Sequence, residues 1–446
     1  MKKTQKKKES KGIKWGSIIP LIGGMSVANK KATGDDPAFI ISYPAFEAND
    51  SHCVNHFKET PYVVIDPETN QLPEVANSLF EEVDFISTVC PCAGLSMLNS
   101  SREQSGKSRG ADAAQNDWMY KSAELVLEQI RPKVFWGENA PGLYSNMGVK
   151  VVEKLREIGK KNGYSFSVVK TNTFLHGIPQ HRMRTFYFFW KNSEAPIMGY
   201  YKREAPMLGD YLEQVPEGAS MMDRPFGLGD IRENGWFLYA REKGWDTKRL
   251  IESSYKTMFH WVMGEKLIDD CLEWSEKNSQ DSMFKFINHI KRKLADDKGW
   301  WDGTPLIFND ATNAIIAKNA CVVHPNKERG ITIREAMHLM GLPHDFEMVS
   351  NAMNHICQNV PVTTATDWTN EIIRFIKGEI QEFGGDFVKQ NNISQRIDYA
   401  EKRLRSTVLF SGKKETHEVS EELEQNVGAS EIPDYAEKAV HSKILF

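Results

Sequence analysis

Short apolar runs punctuate this chain, and most of them stop at a turn-forming or polar residue. Trp15 to Ile22 breaks at Gly23-Gly24, Ala38 to Ala45 leads to Glu47, and Tyr62 to Ile65 ends at Asp66. Phe85 to Val89 runs into Cys90-Pro91-Cys92, and Val134 to Trp136 leads to Glu138. Runs of this length bounded by turns read as buried strands. Helical spacing fits between several of them, as over Tyr120 to Ile130 with apolar residues at 125, 127 and 130. Phe186 to Trp190 reads as a later strand, nearly all aromatic and therefore buried. Strands alternating with helices predict an α/β, doubly wound sheet, which takes its ligands beyond the C-terminal ends of the strands. Each polar landmark falls just there.

The rhythm fades from about 191 to 325. That stretch carries Trp236, Trp245, Trp261, Trp274, Trp300 and Trp301 and a basic-aromatic section, Phe284 to Lys293. Regularity returns with Ile331 to Met340 and a helix over 366–380. The expected division is a Lys-rich tail over 1–11, a first domain part over 12–195, a smaller inserted domain over 196–324, a return over 325–382, and a polar extension over 383–446. Segment 97–118, rich in Ser, Gly, Arg, Asn and Asp, reads as a long loop of the kind that serves as a lid.

Composition narrows the function classes. With 446 residues, 40% hydrophobic and 26% charged, the chain can bury a full core. No apolar run approaches the roughly 20 residues of a membrane span. The N-terminal lysines precede no hydrophobic segment, so they form a tail and not a signal peptide. A net charge of −4 means that nucleic-acid binding would need local basic patches. The six cysteines, at 53, 90, 92, 271, 321 and 357, form no disulfide framework and fit a reducing compartment. Cys90 and Cys92 lack a companion pair at zinc-site spacing, so no metal is expected. A cysteine and a glutamate, each just beyond a strand, suggest a thiol nucleophile and a carboxyl proton donor facing one pocket.

Five motifs stand in a telling order: Pro91-Cys92, Glu138-Asn139, Gln180-His181-Arg182-Met183-Arg184, Thr332-Ile333-Arg334-Glu335-Ala336 continuing to Phe346, and Asn359-Val360-Pro361-Val362. Together they resemble the DNA (cytosine-5)-methyltransferases over roughly 15–190 and 325–380. The resemblance implies the Rossmann-like sheet of S-adenosylmethionine-dependent methyltransferases with a smaller target-recognition domain. It implies a cytoplasmic monomer, in a bacterial or phage-infected cell, acting on double-stranded DNA. Cys92 would add to carbon 6 of a flipped-out cytosine, which activates carbon 5 toward the methyl group. Glu138 would hold or protonate ring N3, and Arg182 and Arg184 would make the pocket electropositive.

The same resemblance places the cofactor against Ile19, Ile22, Gly23, Gly24, Glu47, Asp66, Pro91, Gln358 and Asn359, and places Gln180 and Ser96 toward DNA. The chain departs from the family pattern where Ile19 replaces an aromatic, Leu21 a glycine, Ala93 a glutamine, and Cys357-Gln358 a Gly-Asn pair. Three rival readings stay open: transfer of a modified donor group, methylation of tRNA cytosine, and a silent DNA-binding protein on the same scaffold.

Overall fold

The computed structural model describes residues 12–393 except 75–76, 93, 97–109, 219, 226–232, 245–266, 296–310, 316–321, 323, 328 and 351–352. The Lys-rich tail, most of the C-terminal extension, and Trp245, Trp261, Trp300 and Trp301 therefore lie outside the described residues. Its strands are β1 (Trp15–Ile18), β2 (Ile40–Ser42), β3 (Tyr62–Val64), β4 (Phe85–Val89), β5 (Val134–Asn139), β6 (Ser165–Asn172), β7 (Gln180–His181), β8 (Met183–Trp190), β9 (Thr312–Asn313) and β10 (Phe387–Asn391). Eight of them form one sheet in the order β10-β6-β8-β5-β4-β1-β2-β3, while β7 and β9 pair separately.

Only β8 runs against its neighbours, pairing antiparallel with β5 and β6. Every other contact in the large sheet is parallel. Strands buried on both faces read as continuous apolar runs, and β4, β5 and most of β8 are fully buried as expected. The helices Gly24–Thr33 and Val362–Ile376 pack on each other over one face. A buried polar chain ties them to the sheet: Asn29 Nδ2 donates to Ser87 Oγ at 2.9 Å, and Thr369 Oγ1 donates to Asn29 Oδ1 at 2.9 Å. Because β1, β2, β4 and β5 run parallel, the turns after them open toward one edge of the sheet.

Three expectations need revising. The helix expected over 120–130 is an α-helix only over Asp117–Leu125; a wider π turn, Val126–Ile130, follows and ends at left-handed Arg131. The helix expected over 366–380 is Val362–Ile376. The stretch set apart from residue 383 does not leave the domain at once, since β10 adds an eighth strand beside β6. Its alternating burial, with Val388 and Gln390 inward and Lys389 outward, is that of a short edge strand whose polar composition hid it.

Within the inserted region, helices Gly235–Glu242, Ile268–Lys277 and Asp281–Ala295 enclose a small core of Tyr239, Cys271, Trp274, Met283 and Ile287. Trp274 is a core residue there, and its indole Nε1 donates to Glu242 Oε2 at 2.6 Å.

Candidate active site

Two turns meet beyond the ends of β4 and β5. After β4 the chain turns at Cys92, where the Leu95 N–H donates to the Cys92 carbonyl at 3.0 Å. β5 ends in Glu138-Asn139 and leads through Ala140 into a short 3-10 turn, Pro141–Tyr144. Gly142 lets the two touch, because a Cβ there would lie 2.2 Å from the Leu95 carbonyl oxygen. Gly94 is pressed in the same way, with a Cβ at 2.5 Å from that of Ala113. Of the expected lid, residues 97–109 lie outside the described residues. Its end is built against the cysteine turn: Gly110 N donates to the Gly94 carbonyl at 2.9 Å, and Asn116 Nδ2 donates to the Gly110 carbonyl at 2.8 Å.

Glu138 is buried, and its Oε1 pairs with Arg184 Nε at 2.7 Å. Burial nevertheless pushes its carboxyl above the usual range, against the pull of Arg184 and Arg182. Cys92 is half-buried. Its thiol is pushed up, first by burial and then by the Glu138 charge, and the two arginines only partly oppose this. Arg184 and Arg182 thus act on the Cys92 thiol in the direction expected of cationic neighbours, against the larger effect of burial. Cys90 is buried beside Thr88 Oγ1 at 3.4 Å and Tyr187 Oη at 3.9 Å, which suits a packed structural residue.

Arg182 and Gln180 turn inward. Arg182, 1% exposed, donates from Nη2 to the carbonyls of Cys357 at 2.6 Å and Asn359 at 3.0 Å, and from Nη1 to that of Ile315 at 3.3 Å. Burial lowers its guanidinium to about 9. Gln180 is also buried, with Nε2 donating to the Leu339 carbonyl at 2.9 Å. That corrects the expectation that Gln180 faces DNA: its amide holds the β7 turn against the returning chain. Ser96 and Pro91 stay half-buried in the cysteine turn.

Two of the residues expected around a cofactor, Gly24 and Asn359, meet beyond β1. Gly24 N, at the start of its helix, donates to Asn359 Oδ1 at 2.9 Å, and a Cβ on Gly24 would collide with that atom at 2.3 Å. Asn359 Nδ2 is buried without a hydrogen-bond partner among the described residues. A buried amide N–H left open beside a helix N-terminus suits a polar ligand with acceptor atoms, such as the methionine end of S-adenosylmethionine. Ile19 and Ile22 are buried, and Gly23 is left-handed at φ 104°. Glu47, Asp66 and Gln358 are exposed. Asp66 Oδ1 accepts from Glu68 N at 2.9 Å, and Gln358 Oε1 accepts from Asn49 Nδ2 at 3.5 Å.

Arg182 thus physically joins the two halves of the site, bracing the very segment whose Asn359 caps the β1 turn. Sequence reasoning gave it a charge role and missed the brace. It also missed Asp50, which is buried behind the β1 turn.

Comparison with known proteins bears on this geometry. A family model described as C-5 cytosine-specific DNA methylase matches residues 14–374. The chain is similar to the Type II methyltransferase M.XorII of Xanthomonas oryzae pv. oryzae, 23% identical over 376 residues, covering 74% of this chain and 79% of that protein. It is similar to the Type II methyltransferase M.Bpa9945I of Bacillus paralicheniformis at 24% identity, covering 63% and 68%. A shorter match, 33% identical over 107 residues, joins it to the Type II methyltransferase M.AgeI of Thalassovita gelatinovora and spans 23% of that protein. Among solved structures, a DNA modification methyltransferase encoded within an E. coli prophage aligns with a TM-score of 0.51 at 15% identity, over 82% of this chain and 100% of that one. At that identity the likeness speaks to the fold.

Proposed function

Because this chain belongs to the C-5 cytosine-specific DNA methylase family, whose members methylate carbon 5 of cytosine in DNA with S-adenosylmethionine, we propose that Cys92 is its nucleophile and Glu138 its proton donor. The observation that carries this reading is the direct packing of the two turns at Gly142 and Leu95, with Arg184 paired to Glu138. S-adenosylmethionine, when bound, supplies the methyl group.

The residues divide the remaining work. Carbon 5 of cytosine is a weak nucleophile until a thiolate adds at carbon 6 and turns the ring into an enamine. Cys92 makes that bond as its S–H bond breaks and the thiol proton passes to solvent. Burial raises the Glu138 carboxyl and its pair with Arg184 fixes it, so Glu138 is placed to give ring N3 a proton and offset the negative charge arriving from sulfur. Arg184 fixes Glu138 and places a cation beside the ring carbonyl. After carbon 5 has taken the methyl group, loss of its proton and departure of Cys92 restore the aromatic ring. A stacked base is out of reach of these atoms, so the target cytosine is flipped out of the duplex, with the turn around Ser96 at the mouth.

The sheet over 12–195 and 325–391 acts as the catalytic domain, and the segment 196–324 as the part that reads duplex DNA. Lys285, His289 and Arg292 support this, since they are exposed at helical spacing on Asp281–Ala295 while Asp269, Asp270, Glu273 and Glu276 cover the neighbouring helix. We read the protein as a cytoplasmic monomer of a Type II restriction-modification system, in keeping with the names of its relatives. No helix among the described residues is long and apolar enough to cross a membrane.

A covalent trap tests the assignment. Incubation with 5-fluorocytosine duplex DNA and S-adenosylmethionine should give an adduct stable to SDS, and Cys92→Ser should give none. An adduct with tRNA and not DNA would redirect the substrate, and an adduct persisting in Cys92→Ser would overturn the nucleophile.

A further inference from the structure

The turn that joins β1 to its helix is strained at two positions. Leu21 has φ 51° and Ile19 φ 49°, left-handed values that glycine adopts freely and that side-chain-bearing residues, β-branched ones above all, resist. Such a turn persists only when its surroundings hold it. Asp50, on the helix Glu47–His56, supplies a hold: its Oδ1 accepts the Leu21 N–H at 2.8 Å, and its Oδ2 accepts the Ser42 hydroxyl from the end of β2. The carboxylate is 0% exposed and has no ion pair among the described residues. A buried carboxylate without a cation is costly, and this one spends both its oxygens on the frame of the turn.

We propose that Asp50 is a positioning residue for the cofactor: its carboxylate holds the 19–23 turn in the conformation that receives S-adenosylmethionine. In this way a side chain does what a glycine at position 21 would do through backbone freedom. The proposal rests on reading that turn as the cofactor site.

A pH dependence follows from its surroundings. Burial pushes the Asp50 carboxyl up to about 7, against the bonds from Ser42 and Leu21, and Glu47 on the same helix adds to the rise. Cys53 on that helix and Tyr62 on β3 are the other titratable groups that sense its charge. Protonation replaces a charge-assisted acceptor with a weaker neutral one, so the hold on Leu21 slackens as pH falls through that value.

Calorimetric titration of S-adenosylmethionine into the full-length protein tests this between about pH 6 and about pH 8.5, either side of the midpoint. Wild type should bind several-fold more weakly at the acid end. Asp50→Asn, neutral and of the same shape, should bind with little pH dependence and near the wild-type acid value. Asp50→Ala, which removes the acceptor, should bind at least about tenfold more weakly throughout. The role of Asp50 is overturned if Asp50→Asn keeps the wild-type slope, or if Asp50→Ala binds as tightly as wild type. Wild type that binds no S-adenosylmethionine would instead sink the reading of the turn as the cofactor site. Should Asp50→Ala fail to fold, by circular dichroism, the slope of Asp50→Asn still decides.

Discussion

Gly142 and Leu95 are in contact through backbone alone: any side chain at 142 would overlap the Leu95 carbonyl. The contact sets the distance between the turn bearing Cys92 and the turn bearing Glu138. Gly142→Ala must therefore push the turns apart. A misplacement on the order of 1 Å lowers kcat by about 10²-fold. Steady-state kinetics on duplex DNA should show that loss, while calorimetry shows an unchanged affinity for S-adenosylmethionine.

Burial raises the Cys92 thiol first and the Glu138 charge second, whereas Arg184 and Arg182 draw it down. Replacing Glu138 with Gln removes the opposing charge and leaves both cations. The Cys92 thiol should then titrate at lower pH than in wild type, even as kcat falls by about 10²- to 10⁴-fold for want of the proton donor. Iodoacetamide alkylation of the Cys92 peptide, followed by mass spectrometry across pH, reads the shift. A midpoint that stays in place or rises would mean that burial alone sets the thiol.

Arg182 satisfies three carbonyls on two distant segments. Arg182→Met leaves those oxygens buried without donors, a loss of about 2–5 kcal/mol. Urea unfolding should register it. Affinity for S-adenosylmethionine should fall as well, because the Asn359 carbonyl that Arg182 anchors belongs to the residue capping Gly24.

The exposed cations Lys285 and Arg292 are expected to meet phosphates. The double variant Lys285→Ala/Arg292→Ala should weaken duplex binding equally for target and non-target sequences. Its log–log salt slope should become shallower by about 2, one for each phosphate that is no longer neutralised. A weakening confined to the target sequence would assign these side chains to base reading instead.

The turns carrying Cys92 and Glu138 were legible because their signals are local. A strand, a turn and a reactive side chain lie within a few residues at Cys92 and again at Glu138, and the open end of a parallel sheet brings such turns together. Arg182 looked like a charge for the pocket because its partners, Cys357 and Asn359, lie far along the chain and offer only carbonyls. A backbone acceptor leaves no trace in residue identity. Gln180 misled for the same reason, its partner being the Leu339 carbonyl. Asp50 escaped notice because an acid near the start of a helix is ordinary, and what distinguishes it is Leu21, whose strained backbone no composition reveals. The strand β10 is polar because it closes an edge, so apolar patterning passed over it.

That edge strand also governs where the protein can be cut. A chain ended at residue 382 would retain every motif that resembles the methylase family yet strip β6 of its partner on one side, since Phe387 to Asn391 pair with Phe166 to Lys170. The bared backbone of Ser165–Asn172 would become a template for other chains. Such a truncated protein should self-associate on concentration, visible by light scattering, whereas one ended after residue 393 keeps its flank covered.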